Sequence, residues 1–160
     1  MNLMSEGSKR HYKLGSKPVP ILDLVHPEVT VWTGTVFLGQ QVEGVSVLLD
    51  TATDLTAFNA ESCKTCTGPK VDIDEESFSI RNAKIDVSYG TQWITGREAR
   101  GPLCFNNQET CANDFSFLYM TSQKVFGEGI SGVIGLARPR SFLLAPNETV
   151  LRDHFFLEMA

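Results

Sequence analysis

"VSVLLDTATDL", Val45–Leu55, carries an apolar run onto a single carboxylate, Asp50, and continues with Thr51, Ala52 and Thr53. An apolar strand does not usually finish on an acid. Asp50 is therefore a catalytic group, a turn residue closing an Asx turn, or the remains of a catalytic group. A carboxylate at a strand end, followed by small hydroxyl residues, can be held by backbone N–H groups and hydroxyls. Such an arrangement fixes its orientation and tunes its acidity. For an isolated Asp-Thr-small triplet the turn is the commoner case, so the neighbouring sequence has to be weighed.

Upstream, "TVWTGTVFL", Thr30–Leu38, mixes β-branched and aromatic residues as a strand does. "GQQ" turns the chain, and Gly44–Leu49 forms a second strand that delivers Asp50, giving a hairpin. Further short strands are expected at Ser77–Ile80, Ala83–Tyr89, Trp93–Arg100, Phe115–Thr121 and Gly132–Leu136. The turn signals between them are "RN", "YGTQ", "NNQ" and "GEG". Residues 1–27 read as an extended arm, because "KPVPILDLVHP" holds three prolines. Residues 28–160 then form a single domain whose C-terminal boundary is open. "NETVLRDHFFLEMA", beginning at Asn147, reads as one amphipathic helix running to the end. The class is all-β, a sandwich or partly open barrel with one C-terminal helix.

At 160 residues and 42% hydrophobic, the chain can bury a core, and with 21% charged residues disorder is not the default. A net charge of -5 argues against nucleic acid or an anionic membrane as the main partner. No stretch approaches the ~18 consecutive apolar residues of a membrane span. The polar, basic start "MNLMSEGSKRHYKLGSK" lacks a signal-peptide core.

Four cysteines form two local pairs, Cys63/Cys66 and Cys104/Cys111. Local disulfides, free thiols and metal binding are all open to them. The three histidines lie far from both pairs, which weakens the zinc reading, and "AESCKTCTGPK" looks like a loop rather than the start of a redox-active helix. Disulfides would require an oxidising compartment. Asn147-Glu148-Thr149 fits a glycosylation sequon and points weakly the same way.

Two further features bear on Asp50. "IDVSYGTQWITGREARG", Ile85–Gly101, reads as a long hairpin, with Tyr89-Gly90 opening the turn and Gly96 allowing the return. A tyrosine just before a hairpin tip can lean over a cleft. "SGVIGLARP", Ser131–Pro139, reads as a buried strand with a tight turn.

Taken in order, Asp50-Thr51-Ala52-Thr53, Tyr89-Gly90-Thr91-Gln92-Trp93-Ile94-Thr95-Gly96 and Ser131-Gly132-Val133-Ile134-Gly135-Leu136-Ala137 resemble the N-terminal lobe of the pepsin-like aspartic proteases. That lobe carries Asp-Thr-Gly-Ser/Thr, a flap Tyr-Gly-Thr-Gly-x-x-x-Gly, and Asp-Gly-Ile-Leu-Gly-Leu. Tyr89 follows Asp50 by 39 residues and Ser131 follows Tyr89 by 42, intervals that suit the lobe. "GTVFLGQ" is similar to the strand that precedes the family's aspartate. The resemblance covers about Lys17 to Ala160.

It implies a pepsin-like lobe with a flap hairpin. Two aspartates, one per lobe, share a proton and activate a water for peptide hydrolysis. Asp50 would be the first of them, Thr51 would lock the lobes together, and Thr53 would bond the outer oxygen of Asp50. Tyr89, Gly90 and Thr91 would close over the peptide. Val133, Ile134 and Gly135 would support the catalytic loop. Cys63 and Cys66 fall where many members close a small disulfide loop. No metal or cofactor is implied. The implied partners are a peptide or protein substrate and, against the lobe interface, a second lobe, a second copy or another subunit. The implied compartment is the secretory pathway, a vacuole or lysosome, or the cell exterior.

Three departures stand out. Ala52 replaces a glycine whose lack of a side chain lets backbone N–H approach the carboxylate. Asp54-Leu55-Thr56-Ala57-Phe58 lacks the usual tryptophan that supports the flap, which Trp93 would have to replace. Ser131 replaces an aspartate. No second Asp-Thr/Ser-Gly occurs in the sequence. The chain alone is therefore expected to be inactive. The alternatives to a two-lobed endopeptidase are an inactive pepsin-fold binding or structural module, and a single-lobe homodimer with one Asp50 from each copy.

Overall fold

The computed structural model describes residues 13–14, 17–18, 24–28, 31–39, 43–89, 91–105, 110–124 and 129–137. Every regular element among them is a strand. The helix expected from Asn147 onwards, the Asn147 sequon and Gly90 lie outside the described residues.

The elements are β1 (Lys13–Leu14), β2 (Lys17–Pro18), β3 (Leu24–Glu28), β4 (Val31–Leu38), β5 (Val45–Asp50), β6 (Ala57–Asn59), β7 (Ser79–Tyr89), β8 (Gln92–Phe105), β9 (Thr110–Gln123) and β10 (Gly132–Gly135). The first two pair with each other, and the rest form one sheet in the order β3-β4-β5-β10-β6-β9-β8-β7. An additional pairing of β4 with β8, Phe37 opposite Cys104 and Leu38 opposite Leu103, closes the middle strands into a ring. β3 and β7 remain as the two flanking strands. The all-β, barrel-like expectation therefore holds for the described residues.

β4 and β5 form the expected antiparallel hairpin, with Trp32 opposite Leu49 and Val36 opposite Val45. Two expectations about strand limits fail. Ser77–Ile80 and Ala83–Tyr89 are not separate strands flanking a turn at Arg81-Asn82. Residues 79–80 and 83–89 belong to the single strand β7, which bulges between Ile80 and Lys84, while Ser77 and Phe78 precede it, Ser77 in a turn. There residues 81–83 stand opposite Glu98 alone, and the ladder resumes because β8 continues straight past the gap. Arg81 binds the buried carboxylate of Glu98 at 2.8 Å across that bulge, and Ser116 donates to the same carboxylate at 2.8 Å. β8 and β9 are also longer than expected. Their shared ladder reaches Phe105 opposite Thr110, and the disulfide Cys104–Cys111 joins two residues already opposite each other in it.

The core has two parts. The larger contains Val36, Leu38, Val47, Phe58, Phe78, Leu103, Phe115, Phe117 and Ile134. Within it Phe117 meets Phe58 and Phe78 edge to face, with centroids 5.1 and 6.0 Å apart. Each such ring contributes about 1.5–3 kcal/mol by leaving water. The smaller part contains Leu55, Ala57, Ile94, Leu118, Met120 and Val133, with Leu48, Ile85 and Val87 packed on it. It joins residues that follow Asp50 to both arms of the β7–β8 hairpin.

Candidate active site

Asp50 is the last residue of β5, as its sequence context suggests. The neighbouring strand comes from far along the chain. β10 lies between β5 and β6, parallel to the first and antiparallel to the second. A later segment thus threads between two earlier strands, in the shape of a ψ. Gly135 stands opposite Asp50 in this register. Beyond it Leu136 N–H donates to the Asp50 carbonyl at 2.8 Å, and Ala137 N–H donates to the Thr53 carbonyl at 2.9 Å. The loop after Asp50 is held at both ends by the segment that follows β10.

The "GVIG" sequence of β10 fits this role residue by residue. Ile134 is fully buried in the larger core and Val133 in the smaller, as alternation along a strand requires. Both glycines are forced by close backbone approach. A Cβ on Gly132 would lie 2.3 Å from the Ala57 carbonyl oxygen, and one on Gly135 would lie 2.6 Å from backbone atoms of Asp54 and Leu55.

Within the loop, Ala52 N–H donates to Asp50 Oδ1 at 2.8 Å. This is Asx-turn geometry, so the turn and the held carboxylate are one structure. Alanine at this position still brings its N–H to the carboxylate, and the residue is exposed, as is Thr51. Thr53 is buried, and its hydroxyl accepts the Leu55 N–H at 3.1 Å. Asp50 itself is partly buried.

The last described pair of the β7–β8 hairpin is Tyr89 opposite Gln92, with Thr91 in the turn. Gly96 does not serve the return of the hairpin. It lies inside β8, where a Cβ would come 2.4 Å from the Tyr119 carbonyl oxygen, so it permits β8 and β9 to approach at an irregularity of their ladder. Trp93, opposite Ser88, is 38% exposed.

Two residues that hold the site, Thr56 and Asn59, give no sequence signal, each being a short polar side chain in an apolar stretch, a pattern too common to single out. Thr56 is buried, and its hydroxyl accepts the Gly135 N–H at 3.3 Å. Asn59 is fully buried and donates to the carbonyls of Pro69 and Ile130 at 3.1 and 2.9 Å. Ser131 is buried and fixes both neighbours through its backbone: its N–H donates to the Ser46 carbonyl at 2.8 Å and its carbonyl accepts from the Asn59 N–H at 2.8 Å. A separate cleft of about 600 Å³ is lined by Glu43–Ser46, Pro69–Asp72 and Ser131. It lies at the start of β5, roughly 17 Å along the strand from Asp50 at ~3.3 Å per residue, and is no part of the Asp50 site.

All four cysteines are paired as disulfides, Cys63–Cys66 and Cys104–Cys111. Thiol ligation of a metal is thereby overturned, and two disulfides fit an oxidising compartment. Among the described residues no helix is long and apolar enough to cross a membrane.

No family model and no curated protein matches the sequence. The fold is similar to the crystal structure of an aspartic proteinase from Irpex lacteus, with a TM-score of 0.53 and 20% identity. The match covers 66% of this chain and 28% of that one. The likeness shows a pepsin-like fold, and this chain matches well under half of that proteinase.

Proposed function

We propose that the chain is one lobe of a pepsin-like aspartic endopeptidase, residues 28–160 forming the lobe and residues 1–27 an arm before it. Asp50 is the carboxylate that this lobe contributes. The single observation that supports the reading most is the setting of Asp50. It ends β5 beside an inserted strand, its loop is fixed at both ends, and Ala52 N–H is bonded to its carboxylate. Preorganised support of this kind suits a group that must hold a water in one orientation.

In this proposal a second aspartate, supplied by another lobe or another copy, shares a proton with Asp50. The ionised member takes a proton from the water as it attacks the scissile carbonyl, and the protonated member donates to the carbonyl oxygen. Thr51 makes the contact between lobes, Thr53 supports Asp50, and Tyr89, Gly90 and Thr91 cover an extended peptide. The protein works in the secretory pathway, a vacuole or lysosome, or outside the cell.

The test is proteolysis of an unfolded protein at acid pH, with sedimentation of the same sample. Monomeric chain is expected to be inactive. Chain paired with a second Asp-bearing lobe is expected to cleave, to be blocked by a peptide analogue with a hydroxyl in place of the scissile carbonyl, and to lose at least about a thousandfold in rate in Asp50→Ala. Cleavage that survives Asp50→Ala would falsify the assignment. The second reading is an inactive pepsin-fold module, favoured by the lack of a second Asp-Thr/Ser-Gly in the sequence. A paired form that binds the analogue but never cleaves selects it.

A further inference from the structure

We propose that the Cys63–Cys66 disulfide is a thiol–disulfide exchange site, and that opening it loosens the outer end of the β7–β8 hairpin through Thr65. The two disulfides differ in what surrounds them. Cys104–Cys111 joins opposed residues inside the β8–β9 ladder, with Leu103 opposite Ala112 on one side and Phe105 opposite Thr110 on the other. The ladder keeps those two residues together even without the bond. Cys63–Cys66 lies in a loop outside every strand, and its two linked positions have no ladder between them. Cys63 is fully buried, Cys66 is partly exposed, and Lys64 between them is exposed. Cys66, the more exposed of the two, is therefore the cysteine that an incoming thiolate reaches, and Lys64 adds a positive charge to the same loop.

Thr65 lies between the two cysteines and ties the disulfide-closed part of the loop to the sheet. Its hydroxyl accepts the Gln123 N–H at 2.7 Å and lies 3.1 Å from the Ser122 hydroxyl. Those two residues end β9 and stand opposite Ile94 and Thr95 of β8, and the next residue, Lys124, donates its N–H to the Trp93 carbonyl at 2.9 Å. One short disulfide-closed loop thus clasps the end of the strand that carries the outer part of the hairpin.

The exchange partner is a dithiol, whether a small molecule or a protein with two adjacent thiols. Its thiolate attacks Cys66 Sγ, the Cys63–Cys66 bond breaks, and Cys63 leaves as a thiolate that takes up a proton. The second thiol of the partner attacks the mixed disulfide, releases Cys66 and closes the partner's own disulfide. The protein gains two electrons and the dithiol loses two. The freed loop no longer fixes Thr65 against β9.

Calling the hairpin a flap rests on the proposed function, but the test needs no proteolysis, so the two proposals fail separately. Full-length chain is titrated with dithiothreitol under native conditions, free thiols are alkylated and mapped by mass spectrometry, and amide exchange is followed by NMR. Cys63–Cys66 is expected to open before Cys104–Cys111. In that half-reduced protein, amides of residues 93–95 and 122–124 are expected to exchange about tenfold faster or more, with those of residues 33–36 and 45–49 unchanged. Oxidised Thr65→Val is expected to show the same local loosening with both disulfides intact. The proposal is overturned if Cys104–Cys111 opens first or together with Cys63–Cys66. It is equally overturned if exchange at residues 93–95 and 122–124 is unmoved in the half-reduced protein or in Thr65→Val, or if exchange rises throughout the sheet.

Discussion

At the scale of single residues, the site depends on two kinds of constraint, backbone contact and hydrogen bonding, and they differ in how visible they are. Gly135 is fixed by contact: a methyl there would press on the backbone of Asp54 and Leu55 at 2.6 Å, atoms that cannot swing aside. Gly135→Ala is therefore expected to cost about 3 kcal/mol, read as a lower urea midpoint. Gly129 provides the contrast. It has a φ of +81°, but a methyl added there would meet nothing within 4 Å, so only its backbone preference is at stake. Asp50, Gly132 and Gly135 are legible in the sequence because an acid at a strand end and paired glycines in an apolar run are both unusual. Thr56 and Asn59 are not, since nothing local separates a buried hydrogen-bonding Thr or Asn from an ordinary loop residue.

At the scale of elements, the loop from Glu61 to Val71 is held to β9 in its middle by Thr65 and at its two ends by Tyr119. The Tyr119 hydroxyl donates to the Val71 carbonyl at 2.7 Å and accepts from the Glu61 N–H at 3.3 Å, bridging the two ends of the loop. Burial raises the Tyr119 phenol above its ordinary 10.0, opposed in part by the Glu61 N–H and aided by the charges of Asp72 and Glu61. The folded state thus holds this proton more tightly than the unfolded chain does. Its contribution is complete below the ordinary value of 10.0 and is lost as pH rises through the higher folded value. Stability should fall with pH above about 10 more steeply in the wild type than in Tyr119→Phe, measured as urea midpoints from pH 8 to 11.5. At neutral pH Tyr119→Phe should cost about 1–2 kcal/mol, because the Val71 carbonyl loses its donor. β4 and β5 are readable from their β-branched, aromatic and apolar residues, and the outer part of the β7–β8 hairpin from the turn signal between its arms. β6 is not: at three residues it is too short to show a period, and its place is set by β10 and β9 on either side. The bulge in β7 reads as a turn because Arg-Asn is a turn-like pair, whereas the ion pair of Arg81 with Glu98 makes it part of the sheet.

At the scale of the whole molecule, the ring closes over the aromatic cluster around Phe117, which is fully buried against Phe58 and Phe78. Phe117→Ala is expected to cost about 3–5 kcal/mol, enough to unfold a domain of ordinary stability near body temperature, and calorimetry would show it as a large fall in Tm. A cost under about 1 kcal/mol would mean that the ring does not depend on this cluster. The order of the ring cannot be read from pattern, because strand periodicity says which face is buried and not which strand lies beside which.

The threading of β10 also sets an order of events. Val47 to Asp50 have no neighbour on one edge until residues 132–135 arrive, more than 80 positions later. During synthesis the Asp50 loop leaves the ribosome long before the strand that fixes it, and long-range pairings of this kind form slowly. The carboxylate therefore cannot acquire its final setting before residues 132–135 have been made and have paired with β5.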